Sequence, residues 1–98
     1  MRIKKTVTVP VKLDIREIIR FVEIARSFSC HIMICHGKST VNGKGLLGLI
    51  SFFFGLEEGE RLVLTAAGPD SEQALEKLGG FFYTVPKQEG LSYVEASR

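Results

Sequence analysis

The run over residues 41–78, VNGKGLLGLISFFFGLEEGERLVLTAAGPDSEQALEKL, constrains the fold more than any other part of the chain. It reads as a short apolar helix over 45–54 ended by Gly55, an acidic turn, and a strand over 60–67. A further helix follows, capped by Asp70 with Gln73 three residues on, and its buried face includes Ala74, Leu75 and Leu78. Two helices and a strand packed into so short a span need partners from upstream to bury their apolar sides.

The upstream half supplies them. Residues 2–9 alternate around Ile3, Val7 and Val9, which predicts a strand closed by Pro10. Over 15–28, Ile15, Ile18, Ile19, Val22, Ala25 and Phe28 recur at helical spacing, with Arg16, Arg20, Glu23 and Arg26 on the other side. Asp14 followed by Glu17 is a capping-box-like start, because a carboxylate there can accept the open N–H groups of the first turn. CHIMICH over 30–36 is a strand, and His36-Gly37-Lys38-Ser39 turns into a short strand ending near Val41. The order is βαββαβα, and it packs economically as a half-buried antiparallel sheet with helices on one face. Gly79-Gly80 and Pro86 interrupt helical continuation, which sets a domain over 1–84 and a C-terminal tail over 85–98.

Composition excludes several classes of function. A chain of 98 residues holds one modest core. Hydrophobic content of 45% with 24% charge is ordinary for a folded soluble protein. A net charge of +2 is too small to imply a nucleic-acid partner, and the strands over 30–36 and 60–67 carry no aromatic on which a base could stack. The basic start leads into alternating valines rather than the apolar stretch of a signal peptide. The apolar-rich run over 46–56 is too short to span a bilayer and carries Gly48, Ser51 and Gly55. With only two cysteines there is no disulfide framework, so the expectation is a reduced cytoplasmic protein with no membrane partner.

The His36-Gly37-Lys38 turn, VNGKGLLGLIS, EEGERLVLTAAG and DSEQALEKL together resemble HPr, the phosphocarrier of the bacterial sugar phosphotransferase system. The resemblance covers residues 3–80 with little gapping. It implies an α+β, HPr-like open-faced β-sandwich: a four-stranded antiparallel sheet with three helices on one face. It also implies two phosphorylation sites, and both are altered in this chain. The family opens its first helix with a glycine–apolar–histidine–x–arginine–proline motif whose histidine accepts phosphate from enzyme I. Here the run is Lys12-Leu13-Asp14-Ile15-Arg16-Glu17: Asp14 stands at the histidine position, Arg16 keeps the arginine and Glu17 replaces the proline. A carboxylate cannot form a phosphohistidine, and Glu17 adds negative charge where a phosphoryl group would arrive. Three readings of Asp14 stand side by side: a helix cap, a fixed charge imitating the phosphorylated histidine, and an aspartyl-phosphate acceptor. The last lacks the nearby carboxylate cluster that such chemistry uses with a metal. The regulatory serine of Gram-positive members, which opens the second helix, is matched by Gly45.

What the resemblance leaves in place is a docking surface. The family meets partners through exposed apolar residues of the second helix, and Leu47 and Ile50 fall on those positions, followed by Phe52, Phe53 and Phe54. A helix apolar on nearly every side cannot bury all of it in so small a domain, so part of this run is expected at an interface and part in the core. Phe53 is taken as an interface residue, with insertion into the core as the alternative. Arg16, Arg20 and Lys44 would add a basic rim.

Metal and catalytic templates fail. Cys30, His31, Cys35 and His36 lie along one strand, where His31 and Cys35 would sit about 13 Å apart, so they cannot chelate one ion between them. No Cys/His or Ser/His/Asp arrangement is present, and Gly43-Lys44-Gly45 is too short for a phosphate-binding loop. No cofactor is implied. The sequence therefore points to a non-enzymatic protein-binding or regulatory module, its partner a phosphotransferase-system or carbon-control protein. A phosphocarrier using another acceptor and a structural homodimer built on the phenylalanine run are the alternatives.

Overall fold

The structure, a computed structural model, describes residues 2–10 and 12–84. Strand β1 is Arg2–Thr8, helix α1 Ile15–Arg26, β2 His31–His36, β3 Ser39–Asn42, α2 Leu46–Phe54, β4 Arg61–Ala67 and α3 Ser71–Thr84. The strands form one antiparallel sheet in the order β1-β4-β2-β3. This is the α+β open-faced sandwich that the element order predicts.

Register decides which side chains meet the helices. Val7 pairs with Leu62, Ile32 with Ala66 and Ile34 with Leu64, and all six are buried. Against this face, Phe21 of α1 is the hub of the helical layer. Its ring centroid lies 6.1 Å from that of Phe53, 5.6 Å from Phe81 and 5.8 Å from Phe82. Such tilted and edge-on pairs add roughly 0.5–1.5 kcal/mol each to the burial itself. The buried side of α1 is Ile18, Phe21, Val22 and Ala25. Ile15 and Ile19, expected to share that side, are instead 48% and 37% exposed, because the helix turns Phe21 inward.

Two other expectations change. Helix α3 runs straight through Gly79 and Gly80 to Thr84. Each glycine costs about 1 kcal/mol against alanine in a helix. Burial of Phe81 and Phe82 just beyond them returns about 1.5–3 kcal/mol apiece, and burial wins. A side chain at Gly79 would meet the Lys5 Cε at 2.5 Å, so the absent Cβ also lets the Lys5 stem cross α3. Asp70 stands at the start of α3, but its carboxylate accepts the N–H groups of Ser29 at 2.8 Å and Cys30 at 3.0 Å. It ties α3 to the entry of β2 rather than spending those oxygens on its own helix. Pro86 and the tail over 85–98 lie outside the described residues.

Candidate functional site

The N-terminus of α1 is built by a complete capping box. The Asp14 Oδ1 accepts the Glu17 N–H at 3.0 Å, and the Glu17 Oε1 accepts the Asp14 N–H at 3.1 Å. Asp14 itself is extended, with φ −91° and ψ 177°, as a residue outside the first helical turn must be. Its second oxygen, Oδ2, faces the Arg16 Nη2 at 3.4 Å. The Glu17 N–H, with Arg16 beside it, holds the Asp14 carboxyl below the ordinary carboxylate value. The positive end of the helix is thus already neutralised by the chain's own carboxylate. Asp14, Arg16, Glu17 and Arg20 line a shallow recess of about 260 Å³ with two charges of each sign. Arg16 is largely exposed, whereas the Arg20 guanidinium lies over the Phe81 ring at 5.5 Å and gains from that stacking.

Helix α2 packs against α1 and presents the second part of the site. Gly45 is its N-cap and makes no side-chain capping bond. Leu47, Ile50 and Phe54 stand at i, i+3 and i+7 and so share one stripe. Leu47 is 83% exposed, Phe54 54% exposed and Ile50 half-buried. Phe53, expected at the interface, is 2% exposed and packs edge-on against Phe21, because the next helical step turns it inward. The exposed aromatic is its neighbour, Phe54, which sequence spacing alone did not single out. Ile15 and Ile19, one turn apart on α1, add exposed apolar surface that the helical-periodicity argument had assigned to the core.

Lys44 is not a free rim cation. Its Nζ donates to the Phe28 carbonyl at 2.6 Å, and its own carbonyl accepts the Arg26 Nε–H at 3.1 Å. Of the three cations expected at the rim, this leaves Arg16 and Arg20 exposed. The cysteines and histidines of the 30–36 strand alternate in environment: Cys30 is buried, His31 exposed, and Cys35 and His36 half-buried. Burial pushes the Cys30 thiol up, and the Asp70 carboxylate beside it acts in the same direction. His36 donates its Nδ1–H to the Arg61 carbonyl at 3.1 Å and turns its Nε2 to the Glu60 Oε1 at 2.7 Å. Among the described residues no group of three or more His, Cys, Asp or Glu side chains is placed to hold a metal ion.

Comparison with known proteins adds a family match, two relatives and two solved structures. A family model described as the phosphorylation site of the phosphotransferase-system HPr component matches residues 1–84. The chain is 30% identical over 88 residues to the multiphosphoryl transfer protein of Xanthomonas campestris pv. campestris, an alignment covering 90% of this chain and 10% of that protein. It thus spans about a tenth of that relative's length. It is also 31% identical over 78 residues to the HPr-like protein Crh of Bacillus subtilis, covering 80% of this chain and 89% of Crh. A crystal structure of Crh, described as an intertwined dimer with a swapped domain, superposes with a TM-score of 0.61 at 30% identity, over 79% of this chain and 86% of that one. The crystal structure of the phosphocarrier protein HPr from Bacillus anthracis superposes with a TM-score of 0.74 at 33% identity, over 82% of this chain and 95% of that one.

Proposed function

We propose that this chain, which belongs to the HPr family of the phosphotransferase system, is a non-enzymatic regulatory module that docks family partners without carrying phosphate on histidine. One observation carries the reading: the place at the head of α1 that the family gives to a phosphorylatable imidazole is occupied by Asp14, whose two oxygens are engaged by the Glu17 N–H and Arg16. A phosphoryl group arriving there would bring a charge of about −1.5 to −2 against two carboxylates already in place. The docking surface beside it is intact in kind. Arg16, Arg20 and Ile15 are exposed on α1, and Leu47 and Phe54 are exposed on α2, which packs against it. An exposed apolar stripe beside cations is the form a protein interface takes. The partner is a cytoplasmic protein of the phosphotransferase or carbon-control machinery.

The deciding experiment is phosphoryl transfer from phosphoenolpyruvate and enzyme I to the native chain and to an Asp14→His variant. The expected result is no label on the native protein and label on the variant, meaning a functional dock around a missing acceptor. Label on the native chain would overturn the reading and favour a phosphocarrier with another acceptor.

A second reading, a homodimer, is favoured by the swapped dimer described for Crh. Phe53 is core in the single chain, so a dimer made by surface contact would not use it. Equilibrium sedimentation decides it: concentration-independent monomer mass removes this reading and leaves the first untouched.

A further inference from the structure

The sheet face turned away from the helices has an unusual charge pattern. Alternation places Arg2, Lys4, Thr6 and Thr8 of β1 on that side, opposite in sense to buried Val7. On β4, Arg61, Val63, Thr65 and Ala67 face the same way, since Leu62, Leu64 and Ala66 point into the core. His31, Met33 and Cys35 of β2 and Thr40 and Asn42 of β3 complete the face by register. Among the described residues of the four strands, no outward position is Asp or Glu.

The arginines and the lysine of this face lie along β1 and at the start of β4. Arg2, Ala67 and His31 share one row across three strands, and Arg61 pairs with Thr8 at the opposite end. Between them, Lys4, Thr65, Met33 and Asn42 form a continuous row, followed by Thr6, Val63, Cys35 and Thr40. Thr65 is only 7% exposed although it lies on this open side, between the long Lys4 and Met33 side chains. Met33, Val63 and Cys35, each half-buried, lie next to one another in these rows among threonines, Lys4 and Asn42. Lysines on β1 have a simpler use, since charge on an edge strand discourages pairing with another chain. That use does not cover Arg61, which lies on β4 between β1 and β2.

From this we infer that the open sheet face is a second docking surface, and that its partner is an acidic protein surface whose carboxylates meet Arg2, Lys4 and Arg61 beside Met33 and Val63. Two alternatives fit less well. A nucleic acid would want aromatics on the sheet to stack its bases, and no outward position carries one. A second copy of the chain would set these cations against themselves. Four strands spaced about 4.8 Å apart expose roughly 300 Å² here, well below the ~800 Å² per partner of a standard interface. The contact is therefore weak, salt-dependent and separate from the α1–α2 dock.

The test is titration of the full chain with a short poly-L-glutamate peptide, followed by backbone amide shifts. Shifts are expected at Lys4, Met33 and Val63, vanishing as salt is raised. A Lys4→Gln/Arg61→Gln double variant should bind roughly fivefold more weakly, about the loss of two partly exposed charge pairs. A Lys77→Gln variant, which removes an exposed cation of α3 on the helical side, should bind as the native chain does. Shifts confined to the head of α1, equal binding by the Lys4/Arg61 variant, or no shift at low salt would each overturn the proposal. So would tighter binding of a single-stranded oligothymidylate to the same amides. Should the Lys4/Arg61 variant not keep native amide dispersion, the map and salt dependence of the native chain decide alone.

Discussion

The Asp70 carboxylate accepts the Cys30 backbone N–H at 3.0 Å, across forty residues of sequence, and takes the Ser29 N–H at 2.8 Å with its other oxygen. These bonds hold the carboxyl below its ordinary value of 3.8, the Ser29 N–H foremost. A group whose pKa is lower folded than unfolded stabilises the fold above the unfolded value and loses that contribution as pH falls through the folded one. Asp14 is shifted in the same direction. The thermal stability of the native chain should therefore drop as pH falls below about 3.8, and Asp70→Asn should flatten that dependence while lowering stability at pH 7.

Asp14→Ala removes the cap and leaves the first-turn N–H groups of α1 to water. Urea denaturation should show a loss of about 1 kcal/mol. Asp14→Asn should lose less, because an amide oxygen still caps the helix while only the exposed Arg16 pair disappears, worth under ~1 kcal/mol.

Two nearby glycines should respond in opposite ways. A Cβ at Gly43 would come within 2.6 Å of the Ile32 Cγ2, beside the bond from the Gly43 N–H to the Ile32 carbonyl. Gly43→Ala should cost about 1–3 kcal/mol, as overpacking does. At Gly45 a Cβ meets nothing nearer than 3.7 Å, so Gly45→Ser should be neutral or stabilising by a few tenths of a kcal/mol. Chemical denaturation of the pair settles both.

Phe53 and Leu47 separate core from surface on one helix. Phe53→Ser should destabilise by about 3–5 kcal/mol, as loss of a buried aromatic does. Leu47→Ser should change stability by no more than about 0.5 kcal/mol and act on partner binding instead. Equal losses at the two positions would contradict the burial described above.

The parts of this architecture legible in sequence are those set by local chemistry. The Asp14–Glu17 box, the alternation of the 30–36 strand and the short apolar helix after Gly45 each depend on residues a few positions apart. What sequence reading misplaced depends on contacts made at a distance. Three phenylalanines in a row do not declare which one faces in; the rotation of α2 against Phe21 selects Phe53 and leaves Phe54 outside. Lys44 reads as a surface cation until the chain brings the Phe28 carbonyl to it from sixteen residues away. Asp70 has the position of a cap, but two N–H groups at the start of β2 take its oxygens. Gly79 and Gly80 read as a helix stop because local preference is visible and the burial of Phe81 and Phe82 is not.

The Lys44 clasp bears on how the α1–α2 surface is used. Arg26 near the end of α1 holds the Lys44 carbonyl, and Lys44 in turn holds Phe28 just past that end. Two hydrogen bonds thus tie the entry of α2 to the exit of α1, so the two halves of the proposed dock would reach a partner already joined. The ordering entropy of their relative placement is spent during folding and does not recur at association. A partner selected for such a surface meets a preformed shape, and its affinity reflects contact quality rather than the cost of arranging the helices.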